Sequence, residues 1–165
     1  MERLFSPWRS KYIESFSAKS EGGDECVFCS AIQAKDDEQR LIVHRGSHSF
    51  AIMNLYPYNS GHLMIVPNRH LASITDLSDE ETLEIMKITK KLIKAVQHIM
   101  KPDGFNYGLN SGRSAGAGID QHIHFHLVPR WHGDTNFMPI LFDTKIVSED
   151  LKATWSKLSN YFKTV

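Results

Sequence analysis

The sequence lacks long hydrophobic runs. A stretch of about eighteen apolar residues, the length that a membrane-spanning helix needs, does not occur. The first nine residues, Met1 to Arg9, also lack the apolar segment of a secretory signal peptide. We therefore expect a protein that does not enter a membrane and that works in the cytoplasm.

Cysteine is scarce. The only two cysteines, Cys26 and Cys29, are too few for a disulfide-stapled scaffold. In a reducing compartment, two cysteines separated by two residues are typical of a metal site or a redox pair. No thioredoxin-like strand-helix-strand pattern follows them, which favours zinc over a dithiol switch.

Net charge is also lacking, because 19 basic residues balance 19 acidic ones. No overall field attracts nucleic acid or an anionic membrane, so nucleic acid is an unlikely class of partner. Any bound anion must be held by local geometry.

The length of 165 residues fits one domain. A polar, glycine-bearing stretch, residues 17–25, predicts an N-terminal arm over residues 1–25 and a single domain over residues 26–165.

Several segments carry the signatures of regular structure. Short strands are predicted at residues 41–44, 50–54, 62–66, 105–110 and 121–129, the first three as an antiparallel meander. A helix should begin at Ser78, which opens a capping box with Glu81, and end near Lys101. Its apolar stripe is Ile85, Met86, Ile88, Leu92, Ile93, Ala95, Val96, Ile99 and Met100. A C-terminal helix capped by Ser148 carries Leu151, Trp155, Leu158 and Phe162.

Three histidines at alternate positions are the most informative feature present. Residues 122–126 read His-Ile-His-Phe-His, so in a strand His122, His124 and His126 share one face. Ile123 and Phe125 then face the core. Clustered imidazoles indicate a site where a neutral histidine serves as nucleophile, base or ligand.

A glycine-bearing loop, residues 111–120, precedes the histidines. Its backbone N–H groups are suited to a bound phosphate, and Arg113 and Ser114 could add donors. A neutral imidazole attacks phosphorus to give a labile phosphoramidate, so His124 is the candidate nucleophile. His126 could stabilise the charge that develops on the phosphoryl oxygens. These residues predict nucleotidyl or phosphoryl transfer.

Two metal sites are compatible with the same residues. The three histidines alone could hold a catalytic zinc ion with an open coordination position. Alternatively, Cys26 and Cys29 could hold a structural zinc ion with two further histidines. The candidates for those two are His44, His48, His62, His70 and His122.

The chain resembles the histidine triad (HIT) family. The resemblance is carried by residues 122–128, His-Ile-His-Phe-His-Leu-Val, and extends over about residues 26–135. It includes Asn54, Gly61-His62, the Val-Pro-Asn-Arg-His of residues 66–70, residues 110–112 and Pro129-Arg130. The resemblance implies an α+β fold, with an antiparallel sheet of about five strands, a long helix and a C-terminal helix. It also implies a homodimer that binds purine nucleotides.

The resemblance also assigns roles. His124 matches the nucleophile that forms a covalent nucleotidyl-histidine, and His126 matches the histidine that contacts the same phosphate. Asn54 matches the ribose-binding position, and Asn110 the polar residue ahead of the phosphate loop that supports the site. The backbone around Gly116 and Gly118 would face the phosphate. In zinc-bearing relatives the ligands match Cys26, Cys29, His70 and His122, which implies a structural Zn²⁺ ion.

Residues 7–12 and 130–137 resemble the branch of diadenosine tetraphosphate phosphorylases and ATP adenylyltransferases. In this chain Ile119-Asp120 occupy positions where a phosphate-binding hydroxyl or amide is frequent in the family. The main hypothesis is cleavage of dinucleoside polyphosphates such as diadenosine tetraphosphate at an α-phosphate, with phosphate or water as acceptor. The alternatives are a nucleoside phosphoramidase, a zinc hydrolase, and a zinc-stabilised nucleotide-binding or interaction module without turnover.

Overall fold

The computed structural model describes residues 26–134 and 150–164. The strands are β1 (Ile42–Arg45), β2 (Ser49–Met53), β3 (Leu63–Pro67), β4 (Gly104–Leu109) and β5 (Phe125–Arg130). The helices are α1 (Val27–Gln33), α2 (Asp37–Arg40), α3 (Asp79–Met100) and α4 (Leu151–Thr164). Short 3-10 turns span Ile74–Asp76 and Arg113–Ala115. The predicted arm (residues 1–25) and the predicted cap Ser148 lie outside the described residues.

The five strands form one antiparallel sheet in the order β1-β2-β3-β5-β4. The first three strands make the predicted meander. Strand β5 lies between β3 and β4, so His126 is placed inside the sheet and not at its edge. This architecture confirms the predicted α+β class, with a long helix and a C-terminal helix on the sheet.

Helix α3 begins where its capping box predicts. The Ser78 hydroxyl accepts the backbone N–H of Glu81, and the Glu81 carboxylate accepts the backbone N–H of Ser78. The same carboxylate receives two hydrogen bonds from Arg69, both of 2.7 Å. The helix ends at Lys101, which adopts a left-handed conformation. One expectation is wrong: Met86 lies on the exposed side of the helix and not in the core.

Helix α4 packs against α3 and β1. Its Trp155 donates the indole N–H to the carbonyl of Ile42 at 2.8 Å, and Phe162 stacks on His44. Asp150, directly before the helix, accepts the backbone N–H of Ala153. One edge of the sheet, β1, is thus covered by this helix.

The two faces of the sheet bury different side chains, because neighbouring residues of a strand point to opposite sides. Ala51 and Met53 of β2 face the core under α3 and α4, whereas Phe50 and Ile52 face a second apolar cluster. That second cluster includes Phe28 and Ala31, both from helix α1. Helix α1 was not predicted from the sequence.

The triad segment follows the expected alternation but not the expected strand boundary. Ile123, Phe125 and Leu127 point into the core under α3, as predicted. The strand, however, begins at Phe125 and not at residue 121. Pairing with both neighbouring strands ends at Phe125, and the N–H of Ile123 donates to the carbonyl of Leu71 instead. His122 and His124 therefore lie in an extended segment that leaves the sheet.

Candidate active site and metal centre

His124 is buried, with 6% of its surface exposed. Its Nδ1 lies 2.9 Å from the backbone carbonyl of His122, and because a carbonyl only accepts, Nδ1 must carry the proton. Nε2 of the neutral ring therefore keeps its lone pair. Burial lowers the pKa of His124, so the ring stays neutral at neutral pH. A neutral imidazole with a fixed lone pair is the form that nucleophilic attack requires.

His126 is held by a second histidine, His62, which is fully buried. Nδ1 of His62 accepts the backbone N–H of Tyr58 at 3.0 Å and lies 3.3 Å from the amide nitrogen of Asn54. The proton of His62 must then sit on Nε2, which lies 2.9 Å from Nδ1 of His126. His126 accepts there, so its own proton is on Nε2.

Nε2 of His126 is buried and has no hydrogen-bond partner among the described residues. Its N–H is therefore a donor that awaits an acceptor, since a buried donor left unpaired costs about 1–3 kcal/mol. The pKa of His126 is lowered to about 4 by burial and by the neighbouring His124. The rings of His124 and His126 lie 4.9 Å apart, which places a lone pair and a donor side by side.

Asn54 follows β2 directly, beside these rings. Its side-chain oxygen accepts the N–H of Tyr56 at 2.9 Å. The neighbouring apolar cluster includes Ile52, with Ile32 and Ile119 packed against it. Phe28 of this cluster also contacts the ring of His124, with centroids 5.1 Å apart. The candidate nucleophile thus lies next to an apolar surface and a polar amide.

The loop before the triad uses the conformations that glycine permits. Gly112 and Gly116 have positive φ angles of 80° and 91°, where a side chain would be strained. Asn110 immediately follows β4 at the start of this loop, and Gly118 is exposed near its end. The Arg113 side chain is 83% exposed, and its Nε donates to Asp120 at 2.8 Å.

The four predicted zinc ligands meet behind the triad. One donor atom each from Cys26, Cys29, His70 and His122 lies within 4.8 Å of the others. Cysteine sulfur to histidine Nδ1 distances are 3.3 Å for Cys26–His122, 3.3 Å for Cys29–His70 and 3.7 Å for Cys29–His122. Tetrahedral zinc with ordinary bond lengths places sulfur and nitrogen ligands about 3.5 Å apart.

The donors also point the correct way. Nε2 of His122 lies 3.0 Å from the carbonyl of Pro67, so it carries the proton and leaves the Nδ1 lone pair facing the cysteines. Of the other ligand candidates, His62 faces His126 and His44 stacks on Phe162. The alternative of a three-histidine zinc site is not supported among the described residues, because only His122 of the triad joins this cluster.

The comparisons with known proteins agree with this geometry. A family model described as HIT domain matches residues 35–133. The chain is 40% identical over 157 residues to a Mycobacterium tuberculosis protein named AP-4-A phosphorylase, covering 93% of this chain and 80% of that protein. The chain belongs to the HIT family. The predicted resemblance is confirmed, including its branch.

The chain is also similar to two further proteins. The chain is 29% identical over 138 residues to an adenosine 5'-monophosphoramidase of Schizosaccharomyces pombe, covering 84% of this chain and 98% of that one. A Zn-bound histidine triad family protein of Mycobacterium smegmatis has the same fold. Its TM-score is 0.68 at 22% identity, over 85% of this chain and 94% of that one.

Sequence reasoning missed one part of this HIT site. It listed His62 as a possible zinc ligand and did not pair it with His126. The available signal was the Gly61-His62 pair: Gly61 has a φ of 71°, and a Cβ there would meet the sulfur of Met100 at 2.7 Å. The left-handed φ favours glycine at this position, and the turn it forms delivers His62 to the site.

No helix among the described residues has the length and apolarity to cross a membrane.

Proposed function

We propose that this HIT protein cleaves dinucleoside polyphosphates at an α-phosphate through a nucleotidyl-histidine intermediate. The observation that carries the proposal is the buried Nε2 lone pair of His124 beside the unpartnered Nε2–H of His126. The identity to a protein named AP-4-A phosphorylase supports this substrate class.

In the first step, Nε2 of His124 attacks the α-phosphorus, and the bond from phosphorus to the bridging oxygen breaks. The electron pair leaves with that oxygen, so diadenosine tetraphosphate would release ATP. The His124 ring becomes positively charged, and its Nδ1–H remains hydrogen bonded to the carbonyl of His122. His126 donates its Nε2–H to the phosphoryl group and stabilises the developing charge.

In the second step, an acceptor oxygen attacks the same phosphorus and displaces His124 as a neutral ring. Inorganic phosphate as acceptor gives ADP, and water gives AMP. Each transfer is expected to proceed in line, with His124 on one face of the phosphorus and the leaving group or the acceptor on the opposite face. The first step needs Nε2 of His124 unprotonated, which the hydrogen bond from Nδ1–H to the carbonyl of His122 ensures, and the second step returns the ring to that form.

Nucleotide recognition is assigned to the residues around this centre. The Asn54 amide is proposed to bind the ribose hydroxyls, and the apolar cluster beside it the purine base. The backbone at Gly116 and Gly118 is proposed to receive the phosphate oxygens. Asn110 would support that loop from the end of β4. An adenine nucleotide is therefore the expected small-molecule partner.

The acceptor is tested directly by supplying diadenosine tetraphosphate with and without inorganic phosphate and separating the products by anion exchange. We expect ADP plus ATP, formed only with phosphate. AMP plus ATP without phosphate would instead make the protein a hydrolase. An adenosine phosphoramidate, tested in parallel, addresses the alternative that the phosphoramidase relative suggests. Nucleotide binding without any product would support the module without turnover.

We propose that the cysteine-histidine cluster holds one structural Zn²⁺ ion. Two thiolates and two imidazoles with inward-facing lone pairs are the ligand set of closed structural zinc sites. Such an ion would pin Cys26 and Cys29, which flank Phe28 at the start of α1, to the triad segment. Cys26 and Cys29 form no disulfide, which fits the reducing cytoplasm, where we place the protein.

We propose that residues 26–165 are one domain and that it forms a homodimer through β4. This strand is an edge of the described sheet, and its residues 106–108 are exposed. On this strand Tyr107 is 40% exposed, and its hydroxyl contacts the sulfur of exposed Met86 at 3.9 Å. Exposed Leu83 lies on the same helix. An open strand edge next to an apolar patch suits pairing with a second copy.

Tyr107→Lys is expected to convert the dimer to a monomer, because it places a charge in the apolar patch beside the open edge. Light scattering after size-exclusion chromatography measures the mass. The matched control is Ile74→Lys, which also replaces an exposed apolar residue, 49% exposed, but on the turn before α3. A wild-type monomer, or equal dissociation in both variants, would refute the β4 interface.

A further inference from the structure

The carboxylate of Asp134 is the centre of a hydrogen-bond network at the end of β5. The side chain is only 9% exposed. It accepts hydrogen bonds from Nε and Nη2 of Arg130 at 2.6 and 2.8 Å and from the backbone N–H of Trp131 at 3.1 Å. It also accepts Nδ2 of Asn59 at 2.8 Å. A surface ion pair with Arg130 alone would not need that fourth contact.

Asn59 connects this hydrogen-bond network to the turn between β2 and β3. Its amide nitrogen donates also to the carbonyl of Pro129 at 3.1 Å. Within the turn, its side-chain oxygen accepts the N–H of Ser60, and its backbone carbonyl accepts the N–H of His62. Asn59 therefore holds the turn in one conformation against the end of β5.

That turn presents the group that decides which nitrogen of His62 is protonated. Tyr58 directly precedes Asn59, and its backbone N–H donates to Nδ1 of His62 at 3.0 Å. Its ring lies 4.7 Å from that of His62 and 5.7 Å from that of His126. Asn54 is a longer second donor, at 3.3 Å. Because Asn54 is assigned to the ribose, Tyr58 is the donor that stays when a nucleotide binds.

We propose that Asp134 and Asn59 are positioning residues that fix the tautomer of His62 and thereby keep a proton on Nε2 of His126. The proposal rests on the proposed function for its catalytic consequence, but the tautomer itself is a property of the free protein. The connection runs through contacts of 2.8 to 3.0 Å, from Asp134 to Asn59, then from Tyr58 to His62 and on to His126.

The other tautomer of His62 shows why it matters that the turn fixes one of them. If the Tyr58 N–H moved away, His62 could carry its proton on Nδ1 and accept on Nε2. His126 would then donate through Nδ1 and present an Nε2 lone pair to the phosphate. A lone pair facing a phosphoryl oxygen repels it, whereas the N–H attracts it. Both arrangements satisfy the His62–His126 contact equally, so that contact does not select between them. The described donors to Nδ1 of His62 are the Tyr58 N–H at 3.0 Å and the Asn54 amide at 3.3 Å, and the turn supplies the shorter of the two.

Asp134→Asn tests the proposal, because it keeps the shape and removes the charge that Arg130 and Asn59 share. We expect kcat to fall between about 10-fold and about 100-fold with a smaller change in KM. In ¹⁵N spectra of the nucleotide-free protein, the wild type should show His126 protonated on Nε2 alone. The variant should show a mixture of the two tautomers.

Two further variants separate positioning from folding. Asn59→Ala leaves the Arg130–Asp134 pair intact and should give the same tautomer mixture, so it decides the case if Asp134→Asn does not fold. Asp103→Asn is the matched control. Asp103 accepts the N–H of His132 at the same end of the sheet at 2.8 Å and should leave both kcat and the tautomer unchanged.

A wild-type His126 tautomer in folded Asp134→Asn and Asn59→Ala overturns the proposal, even if activity falls. An equal effect of Asp103→Asn on the tautomer also overturns it. If the wild type turns over no nucleotide, the proposed function fails, whereas the ¹⁵N measurement still decides the tautomer lock. The two failures are thus distinguishable.

Discussion

Replacing His124 with alanine is expected to reduce turnover of diadenosine tetraphosphate by about 10⁴-fold or more, while the protein stays folded and still binds nucleotide. The variant removes the only atom proposed to bond to phosphorus. His126 would still donate to the phosphate, but without a nucleophile neither the intermediate nor the two-step transfer can form. Steady-state rates and nucleotide affinity, measured on the same preparations, separate these two effects.

The intermediate itself provides a second readout. Acid quenching of the wild type during turnover, followed by mass spectrometry, should reveal one nucleotidyl group on the peptide that contains His124. His48→Ala is the matched control, because His48 is exposed and lies outside the triad. Wild-type turnover in folded His124→Ala would contradict the mechanism, as would a nucleotidyl group found on another residue.

The parts of the site that local periodicity determines could be predicted. In residues 122–126 the alternation of histidine and apolar side chains assigns each residue to a face, and Ile123 and Phe125 do lie in the core. The capping box at Ser78 likewise places the start of α3, because its hydrogen bonds are local in the sequence. Predictions of this kind depend on a few neighbouring residues and on fixed geometry.

The pairing of His62 with His126 could not be predicted in the same way. The two residues are 64 positions apart, and their contact depends on the register in which Met64 of β3 lies opposite His126 of β5. The sequence contains no local signal for that register. The strand boundary at Phe125 was missed for a related reason. The N–H of Ile123 donates to the carbonyl of Leu71, which belongs to a connection between strands.

Helix α1 was missed because it spans only seven residues, too few for a clear amphipathic period. Its stability is tertiary. Arg45 on β1 donates to the carbonyls of Ile32 and Ala34, at 2.7 and 2.9 Å, and so satisfies the end of the helix. The cysteine pair could be recognised from its spacing, but not the helix that Cys29 lies on. That helix also carries Phe28 to the ring of His124.

His122 joins the proposed metal centre to the proposed active site. Its Nδ1 faces the cysteines, its Nε2–H is fixed by Pro67, and its carbonyl receives the Nδ1–H of His124. The orientation of the proposed nucleophile, His124, therefore depends on a residue that the metal would hold. A structural role for zinc predicts that metal, fold and activity are lost together, whereas a catalytic role predicts loss of activity from a folded protein.

Removal of the metal centre by the double substitution Cys26→Ser and Cys29→Ser is expected to abolish zinc binding and to lower the free energy of unfolding by about 3 kcal/mol or more. For a chain of this length, that corresponds to a melting temperature about 10 °C lower. The reason is that α1 is short and is expected to detach from the triad segment once Cys26 and Cys29 no longer share a metal ion with His122. Elemental analysis, thermal unfolding and turnover are measured together, with Ser30→Ala as the control on the same helix. A wild-type melting temperature with no zinc bound would refute the structural role, and a stable, zinc-free, inactive protein would favour a catalytic metal.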